Sequence, residues 1–263
     1  MKKVVIFFIL AYIISWVIWL PLYGHHLGLS QLPILPFHHA LGGLGPLLAA
    51  FITSFFFHGW EGVVELGKKC VQTRPFSYLA IALFSPFTVI LVASIISYFS
   101  GGQTMELSGM LINKEFPEFG FFTIFLYNLI FFGFGEEVGW RGFALPYFQT
   151  KFNALTSAII ISLFWALWHW PLFLYRAGYT SMEVADILGW TLSLLTGSIL
   201  LTWLFNASKG SILICAVFHA TVDIAFTADM SDERLMNFMG FIITLWGIIT
   251  VIIFKPKTLA PRP

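Results

Sequence analysis

Charge is what this sequence has least of. Its 263 residues hold 14 Lys and Arg and 13 Asp and Glu, against 58% hydrophobic residues and a mean hydropathy of +0.85. A water-soluble domain carries roughly a quarter charged residues, so this chain could not cover a water-facing surface. A formal net charge of +1 excludes the electrostatic footprint of a nucleic-acid binder. Cysteine is scarce too. Cys70 and Cys215 fall on the inner side of the predicted spans or within one, which leaves no disulfide framework. There is no GxSxG, no CxxC, no internal repeat and no low-complexity tract. The expectation is one transmembrane domain over residues 1–263, with no cofactor and no bound metal.

What is present is apolar runs of bilayer length. Eight spans are expected, over residues 4–22, 39–57, 78–99, 120–138, 154–175, 187–206, 210–227 and 236–254: an all-α polytopic membrane protein. The first follows Met-Lys-Lys but is longer than a signal core. Leu20-Pro21-Leu22-Tyr23 stands where a cleavage site would be, so it reads as a retained anchor. Eight spans segregate the basic residues. Lys2, Lys3, Lys68, Lys69, Arg74, Arg141, Lys151, Lys209, Lys255, Lys257 and Arg262 fall on one side, and only Lys114, Arg176 and Arg234 on the other. The positive-inside rule then places both termini in the cytoplasm, at the cell membrane if the source is prokaryotic. The paired histidines His25, His26, His38 and His39 lack the flanking carboxylates or CxxC of a metal site. The many phenylalanines and tryptophans read as lipid-facing bulk and interface belts.

The informative residues are the ionisable ones inside spans, where each is costly unless paired, wetted or functional. They are Glu136, Glu137, His169, His219 and Asp223. Glu137 and Arg141 are four apart and share a helix face, which suggests a brace at a helix end. Glu136, about 100° round the helix, is free of that pair. His219 and Asp223 are again four apart, so Asp223 can hold the His219 ring. Trp165, one turn before His169, offers it an aromatic shelf. Spans four and five form a hairpin turning at Lys151-Phe152-Asn153, with Glu136 16 residues before Phe152 and His169 17 after it. At ~1.5 Å per residue both lie ~25 Å from the turn, and His219 lies ~14 Å into span seven. The three share a level if the hairpin tip, with Arg141, Tyr147, Gln149 and Lys151, projects about 10 Å beyond the inner surface. The site is then expected nearer the cytoplasmic side, in a polar cavity facing the cytoplasm.

A carboxylate beside an imidazole in a confined wet pocket can activate water. A second histidine with a polar partner can stabilise the oxyanion formed on an attacked carbonyl. With no serine or cysteine in a nucleophile context, direct attack by water on a peptide bond is the economical chemistry. Its substrate would be a peptide or membrane protein delivered through or along the lipid.

These residues also carry a resemblance. Glu136-Glu137-Val138-Gly139-Trp140-Arg141 matches an EExxxR motif. Trp165 to His169 matches FxxxH with Trp in place of Phe, Phe164 being adjacent. His219 and Asp223 match HxxxN/D. In that order, over roughly residues 120–227, the chain resembles the CPBP intramembrane endopeptidases. This is the CAAX protease and bacteriocin-processing (ABI) family, which includes the Ras-converting prenyl endopeptidases. The resemblance implies that Glu136 and His169 activate water, that His219 and Asp223 build an oxyanion site, and that Glu137 and Arg141 brace the helix. It also implies an eight-helix core. The prenyl endopeptidases carry Asn at the position of Asp223, and an ionised carboxylate cannot donate to an oxyanion. Asp223 is therefore either protonated or only orients His219. Two other readings stand beside this one. One is a zinc protease using His169, His219 and a carboxylate; the other is a non-enzymatic immunity protein, scaffold or small transporter. Prenylated tails, peptide pheromones, bacteriocin leaders and membrane proteins all remain open as substrates.

Overall fold

A computed structural model describes residues 2–101, 109, 112–229 and 233–261; Arg262, counted above among the basic residues of one side, lies outside them. Lipid offers the backbone no hydrogen-bond partner, so a spanning chain must satisfy itself within helices. Eight long helices result: α1 (Lys2–Tyr23), α2 (His38–Cys70), α3 (Phe76–Phe99), α4 (Phe121–Gln149), α5 (Ala154–Trp168), α6 (Val184–Ala207), α7 (Ile212–Thr227) and α8 (Glu233–Thr258). Among the described residues, seven helical segments are long and apolar enough to cross a membrane, and α7 is a shorter apolar helix of 16 residues. No strand forms among the described residues; one isolated bridge joins Asn113 to Ala228.

The expected spans are all present, with differences at their ends. Span two runs on to Cys70 through a break at Gly59, whose φ of 62° suits a residue without Cβ. Helix α5 starts where the Asn153 side chain accepts from Thr156 N, and it stops at His169, two residues before Pro171, which cannot continue a helix. Helix α7 starts at a Ser211 cap that accepts from Ile214 N.

Helix α4 is irregular in the middle. Leu129–Phe134 and Val138–Ala144 form wide π-type turns on either side of Gly135–Glu137. Around these turns the helix packs against α2 and α7. A Cβ on Gly133 would stand 2.5 Å from the Ala216 carbonyl of α7, and one on Gly139 would stand 2.8 Å from the Pro46 carbonyl of α2. Only glycine allows backbones so close, the usual device of membrane helix packing.

The tryptophans divide: Trp60 and Trp170 are exposed as expected of lipid-facing side chains, but half of the ten are not. Trp19, Trp140, Trp165, Trp168 and Trp203 are buried. Where an indole is buried its N–H seeks an acceptor: Trp19 donates to His39 O, and Trp168 donates to Ser15 Oγ. The lipid-facing bulk is otherwise phenylalanine and aliphatic side chains such as Phe56, Phe99 and Phe122.

Candidate active site

Glu136, His169, His219 and Asp223 line a single cavity of about 460 Å³. Three helices position them. Glu136 sits on the regular turn of α4 between its two wide ones. His169 is the C-cap of α5, so its ring projects from the helix end instead of packing along its side. His219 and Asp223 are one turn apart on α7. Trp190 of α6 and Tyr179, in the α5–α6 connection, complete an aromatic wall against the His169 ring.

The Glu136 Oε2 atom accepts from two indoles, Trp165 Nε1 at 2.5 Å and Trp140 Nε1 at 3.4 Å. His169 Nδ1 stands 2.7 Å from the Trp165 carbonyl. A carbonyl only accepts, so Nδ1 carries the proton and Nε2 is the acceptor of the neutral ring. Trp165 thus touches the whole site. Its ring centroid lies 5.9 Å from that of His169 and 5.6 Å from that of His219, and the Arg141 guanidinium stacks over it at 4.9 Å. A phenylalanine there would keep the shelf and lose the donor to Glu136.

Glu137 and Arg141 pair at 3.2 Å with both side chains fully buried. The pair does more than brace a helix end, because Glu137 Oε1 also accepts from His219 Nδ1 at 2.7 Å. Asp223 Oδ2 is 3.7 Å from His219 Nε2, too far for a hydrogen bond. Asp223 therefore faces the His219 ring at ion-pair range, as expected from the spacing, but the hydrogen bond that holds the ring is made to Glu137, on another helix. The close passage of α4 along α7 at Gly133 turns both Glu136 and Glu137 toward the histidines, although they point about 100° apart.

The projecting hairpin is corrected. Arg141 is buried, and Gln149 exchanges two hydrogen bonds with Asn206, at 3.0 and 2.9 Å, which ties the tip of the hairpin to the end of α6. The π-type turn below Glu136 takes i→i+5 bonds and packs more residues into each turn, which shortens that stretch of α4.

Three residues around the site were missed from the sequence. Trp140, inside the first motif, is spaced i+4 from Glu136 and could have been read as its donor. Tyr179 reaches the cavity from a connection and His39 from the first turn of α2, where helix periodicity gives no guide. His39 Nδ1 is engaged by Tyr175 Oη and His38 Nε2 by the Ile18 carbonyl. Among the described residues, no group of three His, Cys, Asp or Glu is spaced to hold a metal.

Comparison with known proteins returns the family read from the three motifs. Residues 118–225 match the model of the Rce1-like family, type II CAAX prenyl endopeptidases. A CAAX prenyl protease 2 of Methanococcus maripaludis is 25% identical over 232 residues, which cover 83% of this chain and 82% of that relative. With the apolar helices, these matches support an integral membrane protein and an intramembrane protease.

Proposed function

We propose, with that family as the premise, that the chain hydrolyses a peptide bond of a polypeptide within the membrane, using water activated by Glu136 and His169. The observation that carries this reading is two carboxylates and two imidazoles, from three helices, lining one cavity in a largely apolar bundle. A water between Glu136 and the Nε2 atom of His169 gives up a proton as its oxygen attacks the carbonyl carbon. The tetrahedral oxyanion takes a hydrogen bond from His219 Nε2 when that ring is fully protonated, its Nδ1–H being committed to Glu137. The proton taken from water then passes to the leaving nitrogen as the C–N bond breaks, giving an acid and an amine. Asp223 steadies the charge on His219 from beyond hydrogen-bond range.

The direct test is turnover of a peptide library by the full-length chain in lipid vesicles, with products read by mass spectrometry. Cleavage that survives exhaustive chelation is the expected result. Loss on chelation with recovery on zinc would move the chemistry to a metal. Asp223→Asn separates the same readings: the variant is expected within about threefold of the parent rate, a cost below 1 kcal/mol, whereas a ligand role would collapse it.

A further inference from the structure

The cavity is built from one half of the bundle only. Its wall takes Trp19 from the last turn of α1, His39 from the first of α2, and Glu115 and Arg176 from the α3–α4 and α5–α6 connections. On α7 it takes Phe218 through Thr227, the C-terminal part of the helix. No residue of the connections 71–75, 150–153 or 208–211 reaches it. Those connections lie at the opposite end, where hydrogen bonds tie the helix ends together. Gln72 Nε2 donates to the Ser208 carbonyl at 2.8 Å, Ser211 Oγ donates to the Gln72 carbonyl at 2.5 Å, and Asn206 Nδ2 donates to the Thr258 carbonyl at 2.8 Å.

The two ends also differ in charge. The stitched end carries Lys68, Lys69, Arg74, Lys151, Lys209 and Lys255, with Lys2, Lys3 and Lys257 beside them. The cavity end carries Lys114, Arg176 and Arg234 among the described residues, and Arg176 is ion-paired with Glu115. The connections at the basic end are a few residues long, the class in which lysine and arginine bias orientation most strongly. A cytoplasmic basic end sets the cavity away from the cytoplasm, since its lining comes from the other half of the bundle.

We infer that the cavity faces the non-cytoplasmic side and takes its substrate there: a polypeptide segment already exported, or the outward tail or loop of a membrane protein. The word substrate rests on the proteolytic reading; the sidedness does not.

The test keeps the two apart. In the full-length chain carrying Cys70→Ser, single cysteines are placed at exposed sites, Glu118→Cys at the cavity end and Lys151→Cys at the basic end. Intact spheroplasts are treated with a membrane-impermeant maleimide, and labelling is normalised to that after lysis. Labelling of Glu118→Cys at least tenfold above Lys151→Cys is expected. Equal labelling, or preference for Lys151→Cys, overturns the inference. A parallel assay offers a peptide outside sealed right-side-out and inside-out vesicles. Cleavage by right-side-out vesicles alone supports both readings, and cleavage by inside-out vesicles alone overturns the sidedness. No cleavage by either, with the labelling as expected, sinks the proteolytic reading and leaves the sidedness standing.

Discussion

At the basic end, Gln72, Gln149, Asn206 and Ser211 spend their polar groups on one another and on backbone carbonyls across helices. In the opposite half, Glu136, His169, His219 and Asp223 present theirs to a cavity of about 460 Å³. The same kinds of helix thus bury polar atoms for two purposes. Neutral amides and hydroxyls that find partners lock helix ends together. Ionisable groups set around a cavity keep binding capacity that packing has not consumed, and tolerating them requires a rigid frame. Here the frame is the buried Glu137–Arg141 pair, which belongs to neither half and touches His219 on one side and Trp165 on the other.

That contrast can be broken at graded cost. Glu136→Gln should do most, lowering kcat/KM by about 10²- to 10⁴-fold with melting temperature unchanged, because shape is kept and the base is lost. A drop in melting temperature instead would mean that Glu136 is a structural lock like the amides of the other end. Glu137→Gln should act chiefly on stability. Removing one partner of a buried ion pair costs about 3–5 kcal/mol, read as lower yield and earlier thermal unfolding in detergent. Equal losses of activity at equal stability for the two glutamate variants would erase the division between them.

Trp165→Phe sharpens the comparison from within the site. It keeps an aromatic ring beside both histidines and deletes the N–H held by Glu136, a bond to a charged group worth about 1.5–3 kcal/mol, so kcat/KM should fall about 10- to 100-fold. An unchanged rate would show that Trp140 suffices. The smallest effect belongs to the basic end: Gln72→Ala should lose about 1 kcal/mol of stability and leave kcat/KM as it was. A large activity loss there would mean that the stitched end moves during turnover.

Much of this was legible in the chain. Apolar length gave the eight helices, and i, i+4 spacing gave the pairing of Glu137 with Arg141. Four costly groups in three motifs pointed to one site, and the structure brings Glu136, His169, His219 and Asp223 to one cavity. What was not legible lay between helices. Spacing along α7 favoured Asp223 as the partner of His219, but Glu137 wins because Gly133 lets α4 ride against Ala216. The wide turns of α4 follow from such contacts and leave no periodic trace. Tryptophan content could not say which indoles face lipid, since a buried one such as Trp19 is held by an acceptor on another helix, the His39 carbonyl.

The ion pair has a consequence for how the chain is made. Helix α4 is the least apolar of the seven long spans and carries Glu136, Glu137 and Arg141. Its outside partner His219 lies 82 positions further on. At synthesis rates of about 5–20 residues per second, that ring emerges roughly 4–16 s after Glu137. Through that interval the nascent helix must rest in or beside the lipid without α7. Because Glu137 and Arg141 are four apart, the helix can neutralise its own arginine during the wait, so its entry into the bilayer need not depend on a segment that has yet to be translated.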